Sequence, residues 1–202
     1  MADEMAAAVA GEPARRWKRS ARREQLLDVA AQMLIELGGA GLTMERLAER
    51  AGVSKALPYS HFTNAEDVID ALFRRETGYL GEQITVAQNG LVDSAARVGA
   101  AVHAYLDVVE ERGTILAALL GARTGGASRD GQDDIGEQFV TDFLAGTFGL
   151  TGPAALVAAA SIHGTLAGAV LVWARGGATR TVTEETVTTF VLAGLRGIAE
   201  RP

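Results

Sequence analysis

Leu42 to Phe62 reads LTMERLAERAGVSKALPYSHF, and this stretch decides the fold. Thr43 is a good N-cap for a short helix carrying Met44, Leu47, Ala48 and Ala51. Gly52 closes that helix, because glycine takes the left-handed backbone a tight corner needs. A second short helix is predicted to start at Ser54 and run through Tyr59 to Phe62. Small Ala48 lets the two helices approach, while Leu47 and Val53 bury the corner. The result is a helix-turn-helix, whose second helix can enter a DNA major groove while the first crosses the backbone.

Upstream, Leu26, Ala30, Met33, Leu34 and Leu37 recur at helical spacing and stop at Gly38-Gly39. Downstream, Thr63 and Glu66 form a capping-box pair for a helix with Val68, Ile69, Leu72, Phe73 and Leu80 on one side. Val98 to Val109 makes a 3-4 stripe predicted to stop at Gly113, with a separate short helix over 114–123. Thr124 to Asp134 reads as a loop. Ile135 to Phe148 stripes the next helix, and Pro153 suits the first turn of a long uncharged one. Thr181 and Glu184 predict a second capping box opening the final helix. The chain is therefore read as all-α with about nine helices. The expected divisions are a basic arm over 1–18, a DNA-binding helix-turn-helix domain over 19–65, and a ligand-binding and dimerisation body over 66–202.

Composition narrows the function. The 202 residues contain no cysteine and only three histidines (His61, His103, His163), none at metal-ligand spacing. Disulfides, thiolate catalysis and cysteine-built metal sites are excluded. No nucleophile–base constellation or phosphate loop supports an enzyme, and no cofactor or metal is expected. The net charge of -6 hides an asymmetry. Residues 14–62 sum to +4, and residues 63–202 to -7. Arg15, Arg16, Lys18, Arg19, Arg22 and Arg23 lead the positive part, a pattern suited to a polyanion. The uncharged run from Pro153 to Ala174 is long enough to span a bilayer, but its Ala, Gly and polar content suits a buried seam better. A cytoplasmic protein without membrane contact is expected. A helical protein-binding adaptor is the competing reading.

From Arg23 to Val68 the chain resembles the DNA-binding domain of the TetR family of transcriptional regulators. The resemblance runs through Leu42-Thr43, Leu47-Ala48, Ala51-Gly52-Val53-Ser54, Tyr59, His61-Phe62 and Glu66. It implies a dimeric repressor that a small molecule releases from a palindromic operator in double-stranded DNA. It further implies that Thr43, Tyr59 and His61 hold phosphates, that Lys55, Ala56 and Leu57 face base edges, and that Ser60 lies among them. Arg15, Arg16, Lys18 and Arg19 would add phosphate contacts. Two positions depart from the family pattern. Pro58 lies inside the recognition helix, and Ala65 stands where a phosphate-binding lysine is common.

Two copies of such a motif are needed to grip a palindrome. A dimer seam is expected along Ala160, Gly164 and Gly168, where small residues recur every fourth position, and along Val187, Phe190, Val191 and Leu195 of the last helix. The candidates for effector contact are Tyr79, His103, Tyr105, Arg123, His163 and Trp173.

Overall fold

A computed structural model describes residues 2–123 and 135–200, with the side chains of residues 19–119, 122 and 138–200. Among the described residues there are eight α-helices, one 3-10 turn (Gly39–Gly41) and no strand. The helices are α1 (Ala2–Leu37), α2 (Met44–Arg50), α3 (Ala56–Tyr59), α4 (Ala65–Ala87), α5 (Ser94–Arg123), α6 (Ile135–Phe148), α7 (Gly152–Ala174) and α8 (Arg180–Ala199). The expected loop over Thr124 to Asp134 lies outside the described residues.

The step from nine expected helices to eight happens at Gly113, where α5 continues without a break. Glycine inside a helix costs about 1 kcal/mol relative to alanine. Beyond it, Ile115 and Leu119 are buried with Leu26, Leu27 and Leu34, and each buried aliphatic side chain contributes roughly 1.5–3 kcal/mol. Burial outweighs the glycine. Residues 2–18, expected as an arm, are helical backbone within α1, as their Ala, Glu and Arg content favours.

Two compact units divide the chain. One comprises Met1–Arg74 with Thr114–Ser128, the other Arg75–Gly113 with Arg129–Pro202. This differs from the 19–65 and 66–202 division in that the end of α5 joins the N-terminal unit, for the packing reason just given. The first unit has a core of Leu26, Leu27, Met33, Leu34, Leu47, Phe62, Val68 and Leu72 around α1, α2 and the start of α4. The second unit buries Val98, Val102 and Leu106 of α5 with Leu144, Leu166, Val187, Val191 and Leu195.

Helix ends show where single residues decide structure. Thr43 Oγ1 accepts from the Arg46 N–H at 3.3 Å, as its N-cap position predicts. Gly38 (φ 67) follows the end of α1, its N–H bonded to Leu34 O. Two caps fall at other residues than expected. Asn64 Oδ1 accepts from the Asp67 N–H while Asp67 Oδ2 accepts from the Thr63 N–H, both at 2.8 Å. The cap is therefore Asn64 on Asp67, with Asp67 reaching back to Thr63, in place of the Thr63–Glu66 box. At α8 the cap is Thr179, which accepts from the Val182 N–H. Pro153 does lie in the first turn of α7. That helix is long and apolar enough to cross a membrane by length and composition alone.

Candidate nucleic-acid interface

The corner between α2 and α3 is a Schellman turn. Gly52 N–H bonds to Glu49 O and Val53 N–H to Ala48 O, with Gly52 at φ 65, which satisfies the carbonyls left free at the end of α2. A Cβ on Gly52 would meet nothing within 4 Å. Gly52→Ala should therefore destabilise by backbone strain alone, about 1–2 kcal/mol, read as a lowered thermal midpoint. An unchanged midpoint would show that the corner does not require left-handed geometry.

Pro58 fits the short α3 without loss. Its missing N–H would have sought Ser54 O, but that carbonyl already accepts from the Leu57 N–H at 3.0 Å. The first turn is tightened, and the proline ring is buried. Helix formation starts at Ala56 after Lys55, one residue later than a Ser54 cap predicts. Ala65, at the family's lysine position, packs against the core of this unit.

The residues expected to meet DNA are distributed unevenly. Lys55, Ala56, Tyr59 and Ser60 are exposed, Thr43, Leu57 and His61 half-buried. Phe62 is buried beneath the Arg23 guanidinium, 5.0 Å from its ring centroid. Arg19 reaches Ser60 O at 3.3 Å and so ties the end of α3 to α1. The side chains of Arg15, Arg16 and Lys18 lie outside the described residues. Burial holds the His61 pKa below the ordinary histidine value, and Arg19, Arg23 and Arg22 add to the effect.

Sequence reasoning missed Glu45. The Tyr59 hydroxyl donates to its Oε1 at 3.2 Å. Glu45's own backbone N–H and then the Tyr59 hydroxyl hold this carboxyl below the usual range. The same hydrogen bond pushes the Tyr59 phenol up. The two residues are 14 positions apart and meet only because of the corner, so no local pattern announces them.

The family model for bacterial regulatory proteins of the tetR family matches residues 26–72, the stretch that builds this motif. In this segment the chain is TetR-like. Over 95 residues (47% of this chain, 43% of the relative) it is 34% identical to the HTH-type transcriptional activator FasR of Mycolicibacterium smegmatis. Over 74 residues (37% and 38%) it is 36% identical to the HTH-type transcriptional repressor AcnR of Corynebacterium diphtheriae. The chain thus spans only about two fifths of the length of these relatives. A crystal structure of a TetR-family transcriptional regulator from Streptomyces coelicolor matches with a TM-score of 0.64 at 22% identity, over 89% of this chain and 82% of that one. The TetR fold therefore extends well beyond the segment whose sequence matches.

In the second unit the expected effector residues do not converge. Tyr105 lines a cavity of about 70 Å³ with Ile84, Gln88, Val102, Phe139 and Phe143, and burial pushes its phenol up. His103 is exposed, with ring nitrogens 2.9 Å from Glu184 Oε1 and 3.5 Å from Asp107 Oδ2. Arg180 pairs with Asp107 and Glu110 beside it. Tyr79 donates to Glu111 Oε2 at 3.0 Å under the Arg112 guanidinium. His163 is exposed, Trp173 packs on the core, and the Arg123 side chain lies outside the described residues.

The expected seam residues divide in the same way. Ala160, Gly164, Gly168 and Phe190 are exposed, whereas Val187, Val191 and Leu195 are buried within their own chain. Between α7 and α8 runs an apolar groove of about 430 Å³, with Pro153, Val157, Ile162, Phe190 and Ile198 among its walls.

Proposed function

We propose that this chain is a transcriptional repressor that binds a palindromic operator as a homodimer and leaves it when a small molecule occupies the second unit. The observation that carries the reading is the exposed α2–α3 face, where Lys55, Ala56, Tyr59 and Ser60 stand clear of the core. A cation, a methyl, a phenol and a hydroxyl in one patch suit guanine acceptors, thymine methyls and phosphate oxygens. Relatives named as regulators through this same segment support it. A regulator acting on the chromosome is cytoplasmic, and neither enzyme chemistry nor a cofactor is needed.

The groove and the exposed Phe190 support pairing through α7 and α8 in a four-helix seam. The apolar cavity at Tyr105 supports an uncharged effector. At about 70 Å³ it falls well below the roughly 300–1,000 Å³ of ordinary ligand pockets, so an occupant must part the helices around it. A ligand that binds the parted state better than the closed one can release DNA by that difference in affinity.

Titration of duplex DNA at rising salt tests the reading. With about six phosphate contacts per dimer, affinity should fall roughly 10³-fold between about 50 and 200 mM salt. A partner bound through apolar contacts, as an adaptor would bind it, shows no such slope.

His61 adds a pH dependence. In the free protein its proton is disfavoured; a nearby phosphate favours it, so the complex takes up a proton that the free protein lacks. Affinity should rise as pH falls through the histidine range, then level off below the free protein's own pKa. A difference of one pKa unit between the two states makes that rise about tenfold. His61→Gln should flatten the profile, and an equally steep profile in that variant would remove His61 from the interface.

A further inference from the structure

We propose that Glu45 is an internal stand-in for a DNA phosphate, holding in the free protein the groups that the bound duplex requires. The inference rests on the DNA-binding reading above. A side chain assigned to DNA by its position is held by this carboxylate. The Tyr59 hydroxyl donates to Glu45 Oε1 at 3.2 Å, and the Lys55 charge favours the ionised carboxylate. A phosphate oxygen would draw on the same hydroxyl and the same cation.

The competition follows from proton count. A phenol has one O–H and can donate to one acceptor at a time, so Tyr59 cannot serve Glu45 and a phosphate together. If Tyr59 stayed on Glu45, its oxygen lone pairs would face the incoming anion beside a second negative charge. Duplex binding must therefore take Tyr59 from the carboxylate. Both residues are exposed, so water helps the exchange and the penalty is that of a surface contact. The contact also keeps Tyr59 in place on the exposed face when no DNA is present. Because phosphates carry no sequence information, the penalty should be uniform across duplex sequences.

The test measures binding of two unrelated mixed-sequence duplexes at low salt by fluorescence anisotropy. The proteins are wild type, Glu45→Gln, Tyr59→Phe, the double variant, and Glu49→Gln as a charge control on the same helix. Glu45→Gln should bind both duplexes about three- to fivefold more tightly, the scale of an exposed charged contact. In the Tyr59→Phe background that gain should shrink to the level of the Glu49→Gln control. A gain of equal size with and without the Tyr59 hydroxyl, or no gain, overturns the inference and leaves the DNA reading standing. Failure of wild type to bind either duplex overturns both. A readout without DNA separates the two: the Tyr59 phenol should ionise at lower pH in Glu45→Gln, and an unmoved ionisation overturns the inference directly.

Discussion

Replacing Phe190 by glutamate is expected to leave a folded monomer in place of the dimer proposed above. Phe190 is 66% exposed on α8 and borders the groove against α7, so the substitution removes little from the core. Val157, 68% exposed, lines the same groove. A Cβ on Gly164 or Gly168 would meet nothing within 4 Å, so a second helix can approach α7 closely along that edge. An aromatic anchor in such a seam contributes on the order of 2–4 kcal/mol. Twofold symmetry uses it twice, so the dimer dissociation constant should rise roughly 10³-fold or more. DNA affinity should fall with it, because each monomer reaches only one half-site. Sedimentation and a thermal melt decide the matter together. Val187→Ala provides the contrast: that side chain is buried in its own chain, so the variant should melt earlier, by the roughly 0.5–1.5 kcal/mol or more of a core truncation, and still dimerise. A Phe190→Glu protein that remains dimeric would place the seam elsewhere.

The same two residues show what the sequence could and could not reveal. Both sit on the apolar side of one helical stripe, and spacing alone assigned both to the seam. Only packing separates the one turned inward from the one left out. Local devices were legible because they depend on a residue and its near neighbours: the Gly52 corner, the Thr43 cap, Pro153 at the start of α7. Cap register was harder, since several Thr, Asn and Asp side chains near α4 and α8 compete for the same free N–H groups. Asn64 and Thr179 prevail. Gly113 misled because the burial that carries α5 past it comes from α1, about 90 positions earlier in the chain. His103 misled for a related reason. Its partners Glu184 and Arg180 are more than 70 residues away, and they hold this polar residue in a hydrogen-bond cluster at the surface. Glu45 was invisible because its role exists only once the corner has closed.

Glu76→Ala should give the largest loss of stability among polar substitutions in the second unit. Glu76 is 2% exposed. Its Oε1 meets Arg75 Nε at 3.1 Å and its Oε2 meets Arg112 Nη1 at 3.1 Å. Arg112 stacks 3.6 Å from the centroid of the Tyr79 ring and also bonds Glu111. Burial alone would lower the Arg112 pKa, but the hydrogen bonds it donates to Glu76 and Glu111 outweigh it and hold the guanidinium protonated. Removing the carboxylate leaves that cation partly buried with half its compensation gone. Breaking such a pair from one side costs about 3–5 kcal/mol. Arg112 keeps 32% of its side-chain surface in water, which argues for the lower end. For a chain of this size about 3 kcal/mol corresponds to a fall of roughly 6–12 °C in Tm. Bond length by itself would predict otherwise. Arg50 and Glu36 approach to 2.6 Å, yet their side chains are 36% and 51% exposed, and such surface pairs contribute about 0.2–1 kcal/mol. Glu36→Ala should therefore shift the midpoint by about 4 °C at most. Thermal melts of both variants under one buffer condition compare burial with distance directly. Equal shifts would mean that the Glu76 cluster is solvated in solution and that its enclosure contributes nothing to the fold.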